Sequence, residues 1–157
     1  MLKNYFWIAF ISMVPLIELR GAIPYAVARS LNMPISYAIA IVGNMLPVPI
    51  IFFFARKVLI WGKDKKLTGK FFTFCLEKGE HGGEKLKAKA GKGLYFALFL
   101  FVGIPLPGTG AWTGTLAASI LDLDFKKSTA AAMGGVVLAG IIMGLVSFLV
   151  KGAVGAM

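Results

Sequence analysis

The sequence predicts an all-α integral membrane protein made of two similar units, each a re-entrant hairpin followed by one full transmembrane helix. Three observations predict this fold class. The chain is unusually apolar, two uncharged stretches are long enough to span a membrane, and two shorter apolar stretches each end in a break rich in glycine and proline.

Composition indicates a membrane protein of one small domain, residues 1–157. Of the 157 residues, 58% are hydrophobic and 15% are charged, whereas soluble domains average roughly 45–50% and 25%. The formal net charge of +10 could indicate nucleic-acid binding. In a membrane protein, however, lysine and arginine mark the cytoplasmic loops, so no nucleic-acid partner is expected. A single cysteine, Cys75, excludes an intramolecular disulfide.

Two stretches are long enough to cross a bilayer, and two are too short. Residues 35–55 contain no charged residue and would form a helix about 31 Å long, enough for the hydrocarbon core. Residues 128–150 form the second such span. The stretches 5–17 and 94–107 are apolar but shorter, and the breaks "ELRGAIP" and "GIPLPGTGAWTG" end them. They therefore read as half-spans.

The order of half-span, break, short helix and full span occurs twice, which predicts an internal repeat with units 5–55 and 93–150. Sliding the sequence by 89 positions aligns Gly21 with Gly110, and a shift of 91 aligns Gly43 with Gly134. A half-span that breaks inside the membrane must be buried in protein or line a watery cavity. Each unit then contains an odd number of crossings, so the second unit is inverted and the two hairpins meet near the midplane.

The distribution of basic residues predicts the orientation in the cell (inner) membrane. The polar linker 56–92 holds 11 of the 17 lysines and arginines, and Lys126 and Lys127 lie on the same side. The opposite side receives Lys3, Arg29 and Lys151. By the positive-inside rule the linker is cytoplasmic and both termini are outside. Phenylalanines among the lysines of residues 66–78 favour an amphipathic helix on the inner surface, with membrane lipids as partners.

Ionisable residues inside a membrane are costly and usually functional, which draws attention to Glu18 and Arg20 at the first break. Glu18 could carry a coupling proton, provided that Arg20 turns to another group such as an anionic substrate. Alternatively, the two side chains pair with each other or with loose hairpin carbonyls and simply hold the turn. Both interpretations remain open from the sequence.

The second break supplies the other half of the expected site. A half-helix that begins after a glycine-rich turn points its positive end into the membrane, which favours an anion. Short segments interrupted by glycine and proline, in corresponding halves, indicate a transporter's binding site. A kink at Pro47 and Pro49 would bring a polar side chain of the first full span nearby. The substrate-binding residues expected from these arguments are Arg20, Gly21, Pro24, Asn44, Pro107, Gly108, Thr109, Gly110, Trp112 and Thr113.

Signatures of enzymes, cofactors and metals are weak. His81 is the single histidine, and the glycines around it make a poor metal site. No serine or cysteine has a general base at a plausible spacing, and there is no Walker-type phosphate loop. We therefore expect neither catalysis nor a cofactor nor a metal. The Gly140-x-x-x-Gly144 motif allows close helix packing, either inside the chain or in a homodimer.

The segments Pro15–Pro24 and Ile104–Gly114 resemble those of the putative small multidrug export protein family. That family is similar in layout to the DedA/VTT superfamily, whose members have two opposed re-entrant hairpins and include lipid-phosphate translocases, proposed proton-coupled exporters and lipid scramblases. DedA proteins carry arginines in the second hairpin, where this chain has Thr109 and Thr113. The resemblance implies the fold, then membrane transport, and least directly the substrate.

The sequence thus predicts a small membrane exporter of an amphipathic or lipid-like substrate, such as an anionic lipid phosphate or a drug, that a proton gradient could drive. Glu18 would couple transport to the proton, and Arg20 would bind the substrate's anionic group. The alternatives are a lipid scramblase and a membrane scaffold or assembly factor that transports nothing.

Overall fold

The computed structural model describes residues 2–15, 17–63, 69–70, 73, 93–106 and 108–155, and these residues are helical apart from short connections. The helices are α1 (Leu2–Met13), α2 (Glu18–Ala28), α3 (Met33–Met45), α4 (Pro47–Lys63), α5 (Gly93–Gly103), α6 (Ala111–Ile120) and α7 (Phe125–Gly155). Two apolar runs, Met33–Phe54 and Phe125–Ala153, are long enough to span a membrane. Because 28% of each run's most apolar window is buried, most of this apolar surface faces outward, as it would towards lipid. The predicted helical chain with two long apolar spans is confirmed.

The first short apolar segment and the helix after it form an antiparallel pair, α1 and α2. The Tyr25 hydroxyl donates to Asn4 Oδ1 across the pair at 3.5 Å, and Gly21 lies against Ile11 and Ile17. The connection occupies residues 14–17, earlier than the sequence indicated. Proline has no N–H to continue a helix, so the chain breaks around Pro15 rather than at Gly21 and Pro24. Glu18, Arg20, Gly21 and Pro24 consequently lie in α2 and not in a loop.

The second hairpin is formed by α5 and α6. Gly114 of α6 approaches Val102 and Leu98 of α5 so closely that a methyl group there would collide with Val102. Residues 104–110 connect the two helices, and the left-handed φ of +80° at Gly108 and the φ of +138° at Gly110 make the sharp turn possible. The helix resumes at Ala111, inside the predicted break, so Trp112 and Thr113 belong to the first turn of α6. Pro107 lies outside the described residues.

One capped turn occurs twice, after α2 and after α6. In the first copy Leu31 N–H donates to Ala26 O and Ser30 N–H to Val27 O; in the second, Leu123 N–H donates to Ala118 O and Asp122 N–H to Ser119 O. Ser30 and Asp122 have φ of +51° and +52°. This is the Schellman pattern that ends a helix.

The helix after each turn starts with the same kind of cap. Asn32 Oδ1 accepts from Ile35 N–H at 3.2 Å, and Asp124 Oδ1 accepts from Lys127 N–H at 2.9 Å. Equivalent residues in these turns are 92 positions apart, as Asn32 and Asp124 are. The sequence identities gave a shift of 89 positions, which differs from 92 by three residues, almost one turn of a helix. That alignment was wrong here because it rested on matching glycines and alanines.

The helix that follows each hairpin, α3 or α7, uses a glycine to approach the first helix of that hairpin. A Cβ at Gly43 of α3 would lie 2.8 Å from Ala9 O of α1, and a Cβ at Gly135 of α7 would lie 2.7 Å from Phe99 O of α5. These glycines are also 92 positions apart. The two halves of the chain thus share packing as well as element order.

Helix α7 passes both hairpins in succession. Its Gly135 touches Val102 and Phe99 of α5, Leu138 touches Gly103, and Gly140 touches Leu19 of α2. Near its end, Lys151 Nζ donates to Val27 O and to Ser30 Oγ. The end of α5 and the start of α2 therefore meet beside residues 138–140 of α7.

The first span consists of α3 and α4, separated at Leu46. Pro47 and Pro49 have no N–H for the carbonyls of Gly43 and Met45, which fits the interruption predicted there. Tyr37 of α3 donates its hydroxyl to Gly140 O at 2.7 Å, and its ring lies against Gly140 and Gly144. The Gly-x-x-x-Gly motif therefore packs internally. The amphipathic helix expected within residues 66–78 lies largely outside the described residues.

Candidate functional site

The Glu18 carboxylate lies at the N-terminus of α6, in the other hairpin. Its Oε2 accepts from Ala111 N–H at 3.2 Å and its Oε1 from Trp112 N–H at 3.0 Å. The side chain is 2% exposed, and the residue has a φ of +53°, a conformation that costs a non-glycine residue energy. The surrounding contacts thus hold Glu18 in an unfavourable backbone conformation that directs its carboxylate at α6.

The local sequence of α6 explains why a carboxylate binds there. The first N–H groups of a helix have no partner within the helix and carry the positive end of its dipole. The N-cap residue, Gly110, has no side chain to accept from them. A Cβ on Gly110 would lie 2.7 Å from Glu18 Cδ. Because Gly110 has no side chain, the N–H groups of α6 lack a local acceptor and there is space for the Glu18 carboxylate to bind them.

Arg20 lies at the opposite end of the same break, at the C-terminus of α5. Its Nη1 donates to Leu106 O at 2.7 Å, and its Nη2 contacts Val102 O, Thr109 Oγ1 and Ile104 O at 3.1, 3.0 and 3.4 Å. Carbonyls at a helix C-terminus lack internal donors and carry the negative end of the dipole. The guanidinium supplies several donors from one planar group, which suits a cluster of carbonyls.

Together, Glu18 and Arg20 complete the broken hairpin formed by α5 and α6. The acid binds the positive helix end, the base binds the negative helix end, and both come from the first turn of α2. Both bond to the second hairpin rather than to each other. The predicted anion site at the α6 N-terminus is thus occupied by the protein's own carboxylate.

The other predicted residues of the second hairpin lie around this pair. The Thr109 hydroxyl lies within 2.9 Å of Ile104 O and 2.8 Å of Leu106 O, the carbonyls that Arg20 contacts. The Thr113 hydroxyl donates to Gly110 O at 3.4 Å. Trp112 contributes its backbone N–H to Glu18, while its indole Nε1 is buried without a partner. Gly108 is exposed and has open space around it.

The predicted residues of the first unit are more dispersed. Gly21 faces Ile17 and Ile11 inside its own hairpin. Pro24 lines an apolar groove of about 590 Å³ between α2 and α7, with Lys151 at one end. Asn44 is fully buried, and neither atom of its amide has a hydrogen-bond partner. Gly21 and Pro24 are therefore not among the residues that contact the second break.

Sequence reasoning missed two polar side chains of α6, Thr115 and Ser119. Both are buried, Thr115 Oγ1 has no partner, and Ser119 Oγ donates to Phe52 O at 2.6 Å. Together with Ala111 they repeat every four residues, which places them on one face of a helix. That spacing is visible in the sequence and could have identified the face that packs on α4. Among the described residues no group of three or more histidine, cysteine, aspartate or glutamate side chains could hold a metal ion.

Comparison with known proteins tests which family these features belong to. The model of the family described as "Putative small multi-drug export protein" matches residues 18–142, from Glu18 through the second hairpin and into α7. The chain belongs to this family. The family's description suggests a small exporter rather than an enzyme, and together with the two apolar spans it suggests a membrane location. No curated protein and no solved structure matches the chain.

Proposed function

We propose that the chain is a small membrane exporter that moves an amphipathic or lipid-like substrate through a site between two opposed re-entrant hairpins. The observation that carries the proposal is the joint placement of Glu18 and Arg20, one on each helix end of the second break. Charged groups at membrane depth are expensive and are retained mainly for function. The drug-export description of the family supports transport as the activity.

Several contacts support the re-entrant, inverted arrangement in this proposal. The hairpin α5–α6 packs on the first part of α7 and α2 packs on its last part. Hairpins that cover opposite ends of one spanning helix enter from opposite faces of the membrane. Their ends meet beside residues 138–140 of α7, near the middle of the 29-residue apolar run. The basic linker on one side favours that side as cytoplasmic.

The chemistry of the site couples substrate to a proton in this proposal. While Glu18 is ionised, it occupies the N–H groups of Ala111 and Trp112 and holds the hairpins together. Protonation removes the negative charge that the helix end attracts. An anionic head group then replaces the carboxylate at those N–H groups, next to the Arg20 guanidinium. Substrate and ionised Glu18 thus exclude each other, which is the requirement for proton-for-substrate exchange.

A scaffold without transport is the second candidate, and one observation favours it. Both Nη atoms of Arg20 and both oxygens of Glu18 already have partners within the protein. A purely structural role needs no more than these contacts.

Movement of a lipid phosphate in liposomes separates the two candidates. A fluorescent polyprenyl-phosphate analogue is incorporated with the purified protein, and an external quencher reports the exposed fraction with and without a pH gradient. Glu18→Gln and Arg20→Gln are compared with wild type, and Arg29→Gln on the exposed end of α2 is the charge-matched control. A fluorescent lipophilic cation is assayed in parallel, because the family description names drugs.

An exporter predicts gradient-dependent movement of one of the two probes that both site variants lose and the control keeps. Movement that needs no gradient but is lost in the variants would indicate a scramblase. Equal movement with and without protein, for both probes, would contradict transport and favour the scaffold.

A further inference from the structure

Buried polar groups without partners are concentrated in one half of the bundle. Among the described residues they are Arg20 Nε, both amide atoms of Asn44, Trp112 Nε1 and the hydroxyls of Thr115, Ser128 and Thr129. Arg20 and Trp112 lie at the break itself. The other four belong to the end of α3, to α6 and to the start of α7, on the side of the bundle where α4 leads into the linker. We call Asn44, Thr115, Ser128 and Thr129 the linker-side seam.

Buried hydroxyls in the opposite half have partners. Ser36 donates to Asn32 O at 2.8 Å and Ser147 to Met143 O at 2.6 Å. Ser12, which lies beside Gly43 at the level of Asn44, donates to Ile8 O at 2.7 Å. Ser12 and Ser36 are as fully buried as Asn44. The difference between the two halves is therefore one of hydrogen bonding and not of burial.

Helix register places the seam in line with Glu18. Tyr37 of α3 bonds to Gly140 O of α7, and Phe52 of α4 packs on Phe125 at the start of α7 with ring centroids 5.1 Å apart. The first span thus runs antiparallel to α7. Helix α6 ends at the capped turn that precedes α7 and runs antiparallel to α7. Since α4 and α6 are both antiparallel to α7, they are parallel to each other.

The bond from Ser119 Oγ to Phe52 O then fixes which residues face each other. One helical turn back, Thr115 lies level with Val48; a further turn back, Ala111 lies level with Asn44. Ala111 donates its N–H to Glu18 Oε2. On α7, Ser128 and Thr129 follow Phe125 by one turn and lie at the level of Thr115. The seam consequently leads from the carboxylate towards the linker end.

The chemistry of the seam selects its occupant. An unpaired polar group is strongly unfavourable in a buried site and still more so at membrane depth. Hydroxyl and amide side chains contain both donors and acceptors. A bare cation would satisfy the acceptors and leave the Asn44 N–H and the hydroxyl protons unpaired. Water satisfies both, and buried waters typically make two to four hydrogen bonds to such groups.

We propose that a file of water molecules fills the linker-side seam and joins the Glu18 carboxylate to the linker end of the bundle, while the opposite half is dry. Resting on the proposed function, this file would be the route by which the coupling proton leaves or reaches Glu18. In the present conformation the site therefore communicates with one side of the membrane.

Silver ions test the seam, because they pass through water-filled spaces and bind thiols. In a Cys75→Ser background, Thr115→Cys and Ser128→Cys report the seam, and Ser36→Cys is a buried control of similar size in the other half. Sealed vesicles of each orientation are identified by tryptic cleavage of the basic linker. After exposure to silver, the protein is denatured and unprotected thiols are labelled with a maleimide.

We expect the seam thiols to be protected at a silver concentration at least tenfold lower than the Ser36→Cys control, and only with silver on the linker side. Equal protection at seam and control positions, protection from the opposite side, or no protection at the seam would overturn the proposal.

An isosteric variant gives a second test should the cysteine variants fold poorly. If the seam is dry, Thr115→Val removes an unpaired hydroxyl and raises the Tm; if water is bound there, the Tm stays the same or falls. An increase of several degrees would overturn the proposal. Neither test needs a transported substrate, so the two proposals can fail separately. If the protein moves neither probe but the seam is hydrated, the exporter proposal is contradicted and the water-filled seam is supported.

Discussion

Replacing Glu18 should destabilise the fold by an amount that depends on how many α6 N–H groups lose their acceptor. Glu18 accepts from Ala111 N–H and Trp112 N–H, and it is almost fully buried. In Glu18→Ala both N–H groups stay buried and unpaired, at about 1–3 kcal/mol each. We therefore expect Glu18→Ala to lower the free energy of unfolding by roughly 4 kcal/mol in total.

Glu18→Gln should have an intermediate effect. Its amide oxygen still accepts from one N–H, while its amide nitrogen faces the other N–H as a second donor. The loss is one charge-assisted bond and the attraction to the helix end, about 2 kcal/mol. The expected order of stability is wild type, then Gln, then Ala.

Equilibrium unfolding in mixed micelles, titrated with a denaturing detergent, measures this order. Asp124→Ala is the control, because Asp124 is an exposed cap of α7 that makes one such bond and should cost about 1 kcal/mol. A Glu18→Ala protein as stable as wild type, or less affected than Asp124→Ala, would refute the assignment of Glu18 as the cap of α6.

Three further predictions test the contacts around the site. Gly110→Ala should destabilise the protein far more than Gly108→Ala, because its Cβ would collide with the Glu18 carboxylate, whereas Gly108 has open space and only its φ of +80° requires glycine. We expect the free energy of unfolding to fall by about 3 and 1 kcal/mol in the same titration, and equal losses would count against the contact between Gly110 and Glu18. Arg20→Lys keeps the charge but cannot reach carbonyls at several positions at once, so it should lose about 2 kcal/mol, while Arg29→Lys just after α2 should change little. If Arg20→Lys lost no more than Arg29→Lys, charge alone would account for the role of Arg20. Gly144→Ala should lower the Tm because it displaces the Tyr37 ring, and Gly152→Ala, with nothing within 4 Å, should not; if instead Gly144→Ala changed only the oligomeric state in size-exclusion chromatography, the motif would belong to a dimer.

The sequence revealed the helical fold and its two long apolar spans because the responsible signals are local. Two long uncharged runs and two interrupted ones can be read directly from residues 35–55 and 128–150 and from the breaks between Pro15 and Gly114. Helix boundaries were less accurate. Helix α1 ends just before Pro15 and not at Gly21 or Pro24, because helix interiors tolerate these two residues when neighbouring contacts support them.

The identity of the site residues could be inferred, but their partners could not. Glu18 and Arg20 stood out because charges are rare in such a chain. That each would bind a helix end 90 or so positions away depends on how the two hairpins dock, and no local pattern encodes this. The repeat shift of 89 failed for a related reason: small residues recur by chance, whereas the Schellman turns and the Asn32 and Asp124 caps define equivalence by hydrogen bonds.

Gradient-driven movement of the polyprenyl-phosphate analogue and the lipophilic cation, measured at equal folded incorporation, tests the central claim most directly. The proposed exporter predicts that wild type and Arg29→Gln move one of these probes when a pH gradient is imposed, while Glu18→Gln and Arg20→Gln incorporate as folded protein and move neither. If the folded Glu18 and Arg20 variants move the probe as wild type does, or if wild type moves neither probe, the break between the hairpins is a structural joint and not a transport site.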